Sequence, residues 1–263
     1  MLRQRVITAL FLVAALASVL FLLPAPVALL AFALVSSIAA WEWAGLMRAG
    51  AIARRLFPVG ILLGCLLLQR YAPLQPVLLW LAAGFWLLLV PVWFARRWSI
   101  GSNLFGYLVG TLVILPAWVA MSQLYLRGPW VLIGVMALVW IADIAAYFVG
   151  RAVGRHKLAP TISPGKTWEG AVGAVLGGLI YGAFQNQMAG VFGSLPWYVA
   201  ALVLTALVAV SIIGDLFESM VKRQANVKDS SGLLPGHGGV LDRIDSLTAA
   251  LPLAALGMGF LPL

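Results

Sequence analysis

Nine apolar stretches constrain this chain more than any other feature. They run over about 7–23, 25–47, 56–71, 75–95, 104–126, 130–150, 169–190, 196–214 and 246–263. A membrane span needs roughly 20 apolar residues, and in hydrocarbon every backbone N–H and C=O must be satisfied within a helix or a closed barrel. Runs this long are helices rather than barrel strands. The predicted class is all-α, a polytopic integral membrane protein with about nine transmembrane helices. Composition agrees: charged residues make up only 10% of the chain, against roughly 25% in a soluble domain. Arg3 and Arg5 before the first run would also suit a cleaved signal peptide, but the many spans that follow favour a retained first span. The third run is short, and Pro58 near its start leaves a tilted or re-entrant segment open. Pro116 predicts a kink or a local break in the fifth.

Threading the spans with the N-terminus in the cytoplasm sorts the basic residues sharply. Arg3, Arg5, Arg48, Arg54, Arg55, Arg96, Arg97, Arg151, Arg155, Lys157, Lys166, Lys222, Arg223, Lys228 and Arg243 fall on the cytoplasmic side, which leaves only Arg70 and Arg127 of the 17 bases opposite. Positive-inside bias selects this orientation. It places the C-terminus outside and both polar segments, 143–170 and 215–245, at the cytoplasmic face. The expected location is a bacterial inner (plasma) membrane. The net charge of +9 then needs no nucleic acid, because cationic loops beside an anionic leaflet account for it. Cys65 lies in an apolar run and has no second cysteine to pair with. No linker or repeat stands out, so one domain over 1–263 is expected.

Five of the eight acids lie between Gly214 and Asp245, namely Asp215, Glu218, Asp229, Asp242 and Asp245. If the helix continues past Asp215, residues 215, 218, 219 and 222 share one face, and Asp242 and Asp245 share another. Between them, Gly236-His237-Gly238-Gly239 reads as a tight loop that lets backbone approach an anion. Carboxylates flanking bases and such a loop point to a divalent metal with phosphate beside it, since Mg²⁺ takes one or two carboxylates and leaves its other positions to water and phosphate. The plainer alternative is a solvated loop whose charges pair with one another.

A second polar cluster opens with Asp143, an acid inside an apolar run that must be paired, protonated or set in a watery cavity. Gly165-Lys166-Thr167 is not a P-loop, because Pro160 stands where its first glycine belongs and no strand is expected before it. Ser163-Pro164 reads instead as a helix start, with Lys166 near an N-terminus able to attract phosphate. His156 reads as an ordinary loop residue. Glu42 reads as an interfacial acid paired with a nearby arginine. The tryptophans near span ends suit interfacial anchoring.

The run Ser219-Met220-Val221-Lys222-Arg223, then Lys228-Asp229, then Leu234-Pro235-Gly236-His237-Gly238-Gly239-Val240-Leu241-Asp242-Arg243-Ile244-Asp245 resembles the signature of the phosphatidate cytidylyltransferases (CDP-diacylglycerol synthases) without departure. The segment Ser163 to Gly170 resembles a second, less specific family segment. The resemblance implies transfer of a cytidylyl group from CTP to phosphatidate drawn from the bilayer lipid, giving CDP-diacylglycerol and pyrophosphate, and a homodimer. On this reading Asp215 and Asp242 are the expected Mg²⁺ ligands, with a second metal ion left open. The expected catalytic group is Asp215, Asp242, Lys222, Arg223, Lys228, Asp229, His237 and Asp245. Ser163, Lys166, Ser219, Gly238, Gly239, Arg243 and Asp143 are expected to bind substrate. Three alternatives stay open: a CTP-dependent polyprenol kinase, a proton-coupled transporter using Asp143 and Asp215, and a scaffold without chemistry. A transporter would favour acids spread across the spans and an inverted repeat, and neither is present.

Overall fold

The computed structural model describes residues 2–190, 192, 193 and 195–259. Its helices are α1 (Leu2–Phe21), α2 (Ala25–Leu46), α3 (Ala51–Arg70), α4 (Gln75–Gly84), α5 (Val90–Arg96), α6 (Leu104–Arg127), α7 (Pro129–Val153), α8 (Trp168–Ala189), α9 (Trp197–Gln224) and α10 (Leu241–Gly259). Each predicted span coincides with a helix, and α4 and α5 join into one rod through a π-helical turn, Phe85–Leu89. That turn sits just before Pro91, which has no N–H to return to the preceding turn. The last four residues of the ninth predicted span, 260–263, lie outside the described residues.

Seven of these rods are long and apolar enough to cross a membrane, so the protein is an all-α polytopic membrane protein. Helices α8 and α10 fall short of that measure. Glutamines and an asparagine close α8, and Asp242, Arg243 and Asp245 open α10. Burial explains why α10 can afford its polar start: it is packed by α9, α6, α4, α7 and α2, and most of its length is inaccessible. Helix α8 makes close contacts through glycines. A Cβ on Gly173 would stand 2.6 Å from Val149 of α7, and one on Gly178 would stand 2.8 Å from Val208 of α9.

Three expectations are corrected. Helix α3 begins at Ala51 and runs without interruption through Pro58, so it is a full 20-residue rod rather than a short re-entrant segment. Helix α6 is likewise unbroken at Pro116. Trp43, Trp86, Trp93 and Trp118 are core residues rather than interfacial anchors. Three of their indole N–H groups are satisfied by backbone carbonyls, Trp43 on Gly106, Trp93 on Trp98 and Trp118 on Leu29. Phe217 of α9 meets Phe85, Trp86 and Trp93 edge-on at 5.4–5.5 Å and stacks on Trp43. This aromatic socket fixes the rotation of α9 at the turn that carries Asp215 and Glu218.

Side-chain contacts also sort the loops between the two ends of the bundle. Thr8 Oγ1 donates to Pro235 O at 3.0 Å, and Arg48 Nη2 donates to Ala225 O at 3.0 Å, so α1 starts at the end that holds the 225–240 loop. Arg127 donates to Met258 O at 2.7 Å at the other end.

Candidate active site

Helix α9 continues to Gln224, so Asp215, Glu218, Ser219 and Lys222 do share one face. Gly214 brings that face onto α10, where a Cβ would stand 2.8 Å from Asp245 O and 2.9 Å from Ala249. Asp242 and Asp245 occupy the first turn or so of α10 and face the α9 acids. Asp143 of α7 joins from a third helix; its charged neighbours are Asp215, Lys166 and Asp245. Five carboxylates therefore converge from α7, α9 and α10, with Lys166 and Lys222 as the cations among them.

Two lysine contacts organise this cluster. Lys166 Nζ lies 2.6 Å from Asp215 Oδ2, and Ser219 Oγ donates to Asp215 Oδ1 at 3.2 Å. Lys222 Nζ donates to Asp242 Oδ1 at 2.6 Å and lies 3.4 Å from Glu218 Oε2. Asp242 Oδ2 accepts from Ser230 N at 2.8 Å and Gly239 N at 2.7 Å, and lies 3.0 Å from Ser230 Oγ, whose one proton it shares with Glu42 Oε2 at 3.1 Å. Burial pushes the Asp242 carboxyl up, but Lys222 and these backbone N–H groups outweigh it and hold the group below its ordinary range. By contrast, neither oxygen of the buried Glu218 accepts a hydrogen bond among the described residues. Asp245 Oδ1 accepts from its neighbour Ser246 N at 2.7 Å.

The glycine-rich loop is a tight hairpin. Leu234 N donates to Gly238 O at 2.8 Å, and Gly238 N returns a bond to Leu234 O at 3.1 Å. Gly236 and Gly238 adopt φ of +77° and +85°, the left-handed region open to glycine. The close approaches here are to the protein's own carboxylates. A Cβ on Gly238 would stand 2.7 Å from Asp242 Oδ2, and one on Gly239 would stand 2.5 Å from Glu42 Oε1. The expected substrate-binding glycines are thus already required by internal packing. His237 is half-buried, with an Nδ1 that has no partner among the described residues. Arg223, Lys228, Asp229 and Arg243 are exposed around the rim. Arg223 reaches Ile162 O at 3.4 Å.

The second polar segment departs from expectation. Ser163–Thr167 is a β-strand, β2, paired antiparallel with β1 (Lys157–Ala159), and the helix begins only at Trp168. The cap is Thr167, whose Oγ1 accepts from Gly170 N at 3.1 Å, rather than Ser163. Ser163 lies at the turn end of this hairpin, and Lys166 reaches the acids from its strand, not from a helix N-terminus. His156 is more than a loop residue. Its Nδ1 lies 2.6 Å from Glu169 Oε1, and its backbone N–H also points to that carboxylate, which ties the hairpin to α8.

Glu42 was misread from sequence. Among the described residues it pairs with no arginine; it is 0% exposed and accepts bonds from Ser230, Ser231, Val240 and Leu241. The signal within the sequence was a lone acid in an apolar span, the same signal that singled out Asp143.

Residues 3–261 match the model of the cytidylyltransferase family. The chain belongs to this family. It is 42% identical to the phosphatidate cytidylyltransferase of Pseudomonas aeruginosa, an alignment covering 97% of this chain and 96% of that protein. It is 40% identical to the phosphatidate cytidylyltransferase of Haemophilus influenzae, over 96% of each chain. The Bacillus subtilis protein of the same name is 41% identical over 44% of this chain and 42% of its own length. Family membership covers both polar segments.

Proposed function

We propose that this protein transfers the cytidylyl group of CTP to phosphatidate, giving CDP-diacylglycerol and pyrophosphate. The observation that carries the reading is the convergence of Asp143, Asp215, Glu218, Asp242 and Asp245 with Lys166 and Lys222 at one end of a membrane bundle, inside a chain aligned nearly end to end with phosphatidate cytidylyltransferases. A lipid phosphate oxygen attacks the α-phosphorus of CTP, the new P–O bond forms, and the bond to the β-phosphate oxygen breaks as pyrophosphate leaves. The nucleophile is already an anion, so no protein nucleophile and no covalent enzyme intermediate are called for.

The difficulty is that two anions must meet. Lys166, Lys222 and the rim cations Arg223, Lys228 and Arg243 offset that repulsion by holding the triphosphate and the lipid phosphate. His237, with its free ring nitrogen, contacts a phosphate or the nucleotide. Ser219 and Ser163 supply hydroxyl donors, and Asp229 supports the loop beside Gly238.

Among the described residues no three acids, histidines or cysteines are gathered closely enough to enclose a metal ion, so the donor set fits a divalent cation held by two carboxylates, with water and phosphate in its other positions. Five carboxylates outnumber the two lysines, and the buried Glu218 oxygens accept no hydrogen bond among the described residues, Lys222 Nζ standing 3.4 Å from Oε2. A carboxylate has about four lone-pair sites. Asp242 spends most of its own on Lys222, Ser230 and Gly239, so it keeps room for a ligand only at Oδ1. The proposed ligands are accordingly Asp215 and Asp242, with Asp245, Glu218 and Asp143 as supporting acids. When bound there, Mg²⁺ would neutralise phosphate charge and favour loss of pyrophosphate.

The proposed orientation sets this end in the cytoplasm, with the N-terminus. The contacts of Thr8 with Pro235 and of Arg48 with Ala225 support it, since they join the basic loops to the same face. The test is to supply purified protein in micelles with α-labelled CTP, Mg²⁺ and phosphatidate. Labelled lipid and pyrophosphate in equal amounts are expected. Release of CDP would mark a lipid kinase instead, and no labelled lipid would overturn the reading.

A further inference from the structure

We propose that Glu42 is a positioning residue for this reaction: from α2 it holds the start of α10 and both ends of the signature loop in one arrangement. The inference rests on the cytidylyl-transfer reading above. Glu42 Oε1 accepts from Ser231 Oγ at 2.6 Å and Val240 N at 2.9 Å; Oε2 accepts from Leu241 N at 2.6 Å and Ser230 Oγ at 3.1 Å. Four donors converge on two oxygens, a full set for a group that only accepts. No lysine, arginine or histidine forms an ion pair with it among the described residues.

The location explains the arrangement. The first N–H groups of a helix have no partner within it and carry the positive end of its dipole. The residue just before a helix usually supplies an oxygen for them. Here that residue is Val240, which has none, so the acceptor arrives from a side chain 199 positions away from Leu241. The next residue, Asp242, is then pinned by Ser230 N and Gly239 N and in turn holds Lys222. Ser230 Oγ lies within hydrogen-bond reach of both Glu42 and Asp242, which couples the buried acid to the reactive cluster. Gly239 is confined between them.

A carboxylate is specifically suited to this place. Each Glu42 oxygen receives one backbone N–H and one hydroxyl. Serine hydroxyls can turn and accept, but a backbone N–H cannot, so glutamine would set its NH₂ against one of the two N–H groups. Aspartate keeps both acceptors but is one methylene short.

The experiment measures kcat and KM for CTP and phosphatidate in micelles for wild type, E42Q, E42D and S231A, with thermal midpoints and elution profiles of each. Misplaced catalytic groups lower kcat while ground-state binding persists. E42Q is expected to elute as folded protein with kcat about tenfold lower or more, and KM for phosphatidate within about twofold. E42D recovers part of the lost kcat, and S231A loses a smaller part with an unchanged midpoint. E42Q turning over within about twofold of wild type would overturn the proposal. So would losses in E42Q and E42D that merely track the fraction of folded protein. Should both fail to fold, S231A decides: unchanged kcat would leave Glu42 a folding residue only. A wild type that makes no CDP-diacylglycerol would instead sink the functional reading.

Discussion

Two lysine–aspartate contacts of equal length, 2.6 Å, lie close together in unlike surroundings. Lys166 and Asp215 have side chains 25% and 27% exposed, whereas Lys222 and Asp242 are 12% and 3% exposed. The more open pair joins a surface hairpin to α9 and is the cheaper of the two to part, because solvent reaches both partners and screens their attraction. The enclosed pair has two loop N–H groups and a serine hydroxyl on the same aspartate, so parting it strands a buried charge. Similar chemistry thus serves two ends. One pair is free to exchange its partner for substrate; the other keeps α9, α10 and the loop in place while it presents Lys222.

The largest effect should come from breaking the enclosed pair. Asp242→Ala should cost about 3–5 kcal/mol of stability, the range for stranding one partner of a buried pair, and should abolish turnover as well. A denaturation curve in detergent that moved by less than about 1 kcal/mol would erase the contrast between the pairs. Next, Asp215→Asn should lower kcat by about 10²–10³-fold, as when an electrostatic group is removed at a reacting centre. Its stability should change by under about 1 kcal/mol. Gly239→Ala should cost about 1–3 kcal/mol by overpacking against Glu42 and Ser230, with activity falling in step; melting curves and turnover on one preparation check it.

A pH series sharpens the comparison further. The Asp242 carboxyl sits below its ordinary range, so its contribution to stability is fully present above that range and is lost as pH falls from there through its lowered value. The stability gap between wild type and Asp242→Asn should therefore close as the medium is acidified, read as the difference in thermal midpoint. The smallest effect should be Thr167→Ala, about 1 kcal/mol for losing the α8 cap, with Lys166 still able to reach Asp215.

Much of this was legible in the chain. Apolar runs marked every rod, because a backbone in hydrocarbon has no choice but to satisfy its own hydrogen bonds. The spacing of Asp215, Glu218, Ser219 and Lys222 marked a shared face, because a continuing helix leaves no other geometry. The hairpin at 157–167 was missed because Ser163-Pro164 looks like a helix start; pairing with Lys157–Ala159 overrode that local preference. The four buried tryptophans were missed because position along a span does not reveal which way an indole points: Trp43 and Trp93 lie near span ends yet face inward, and Trp86 and Trp118 lie well inside their spans.

What the order of residues determined alone was the set of helices, the end of the bundle where charge gathers and the family. Those follow from local periodicity, from hydropathy and from a contiguous signature. What tertiary structure alone decided was the division of labour among the acids. Glu42 is saturated by donors from the loop and Asp242 nearly so, whereas each Asp215 oxygen has one partner, Asp245 accepts from Ser246 N, and Glu218 accepts no hydrogen bond among the described residues. An acid's role depends on how many donors the folded chain brings to it, and the donors to Glu42 come from some 190 positions further along the chain.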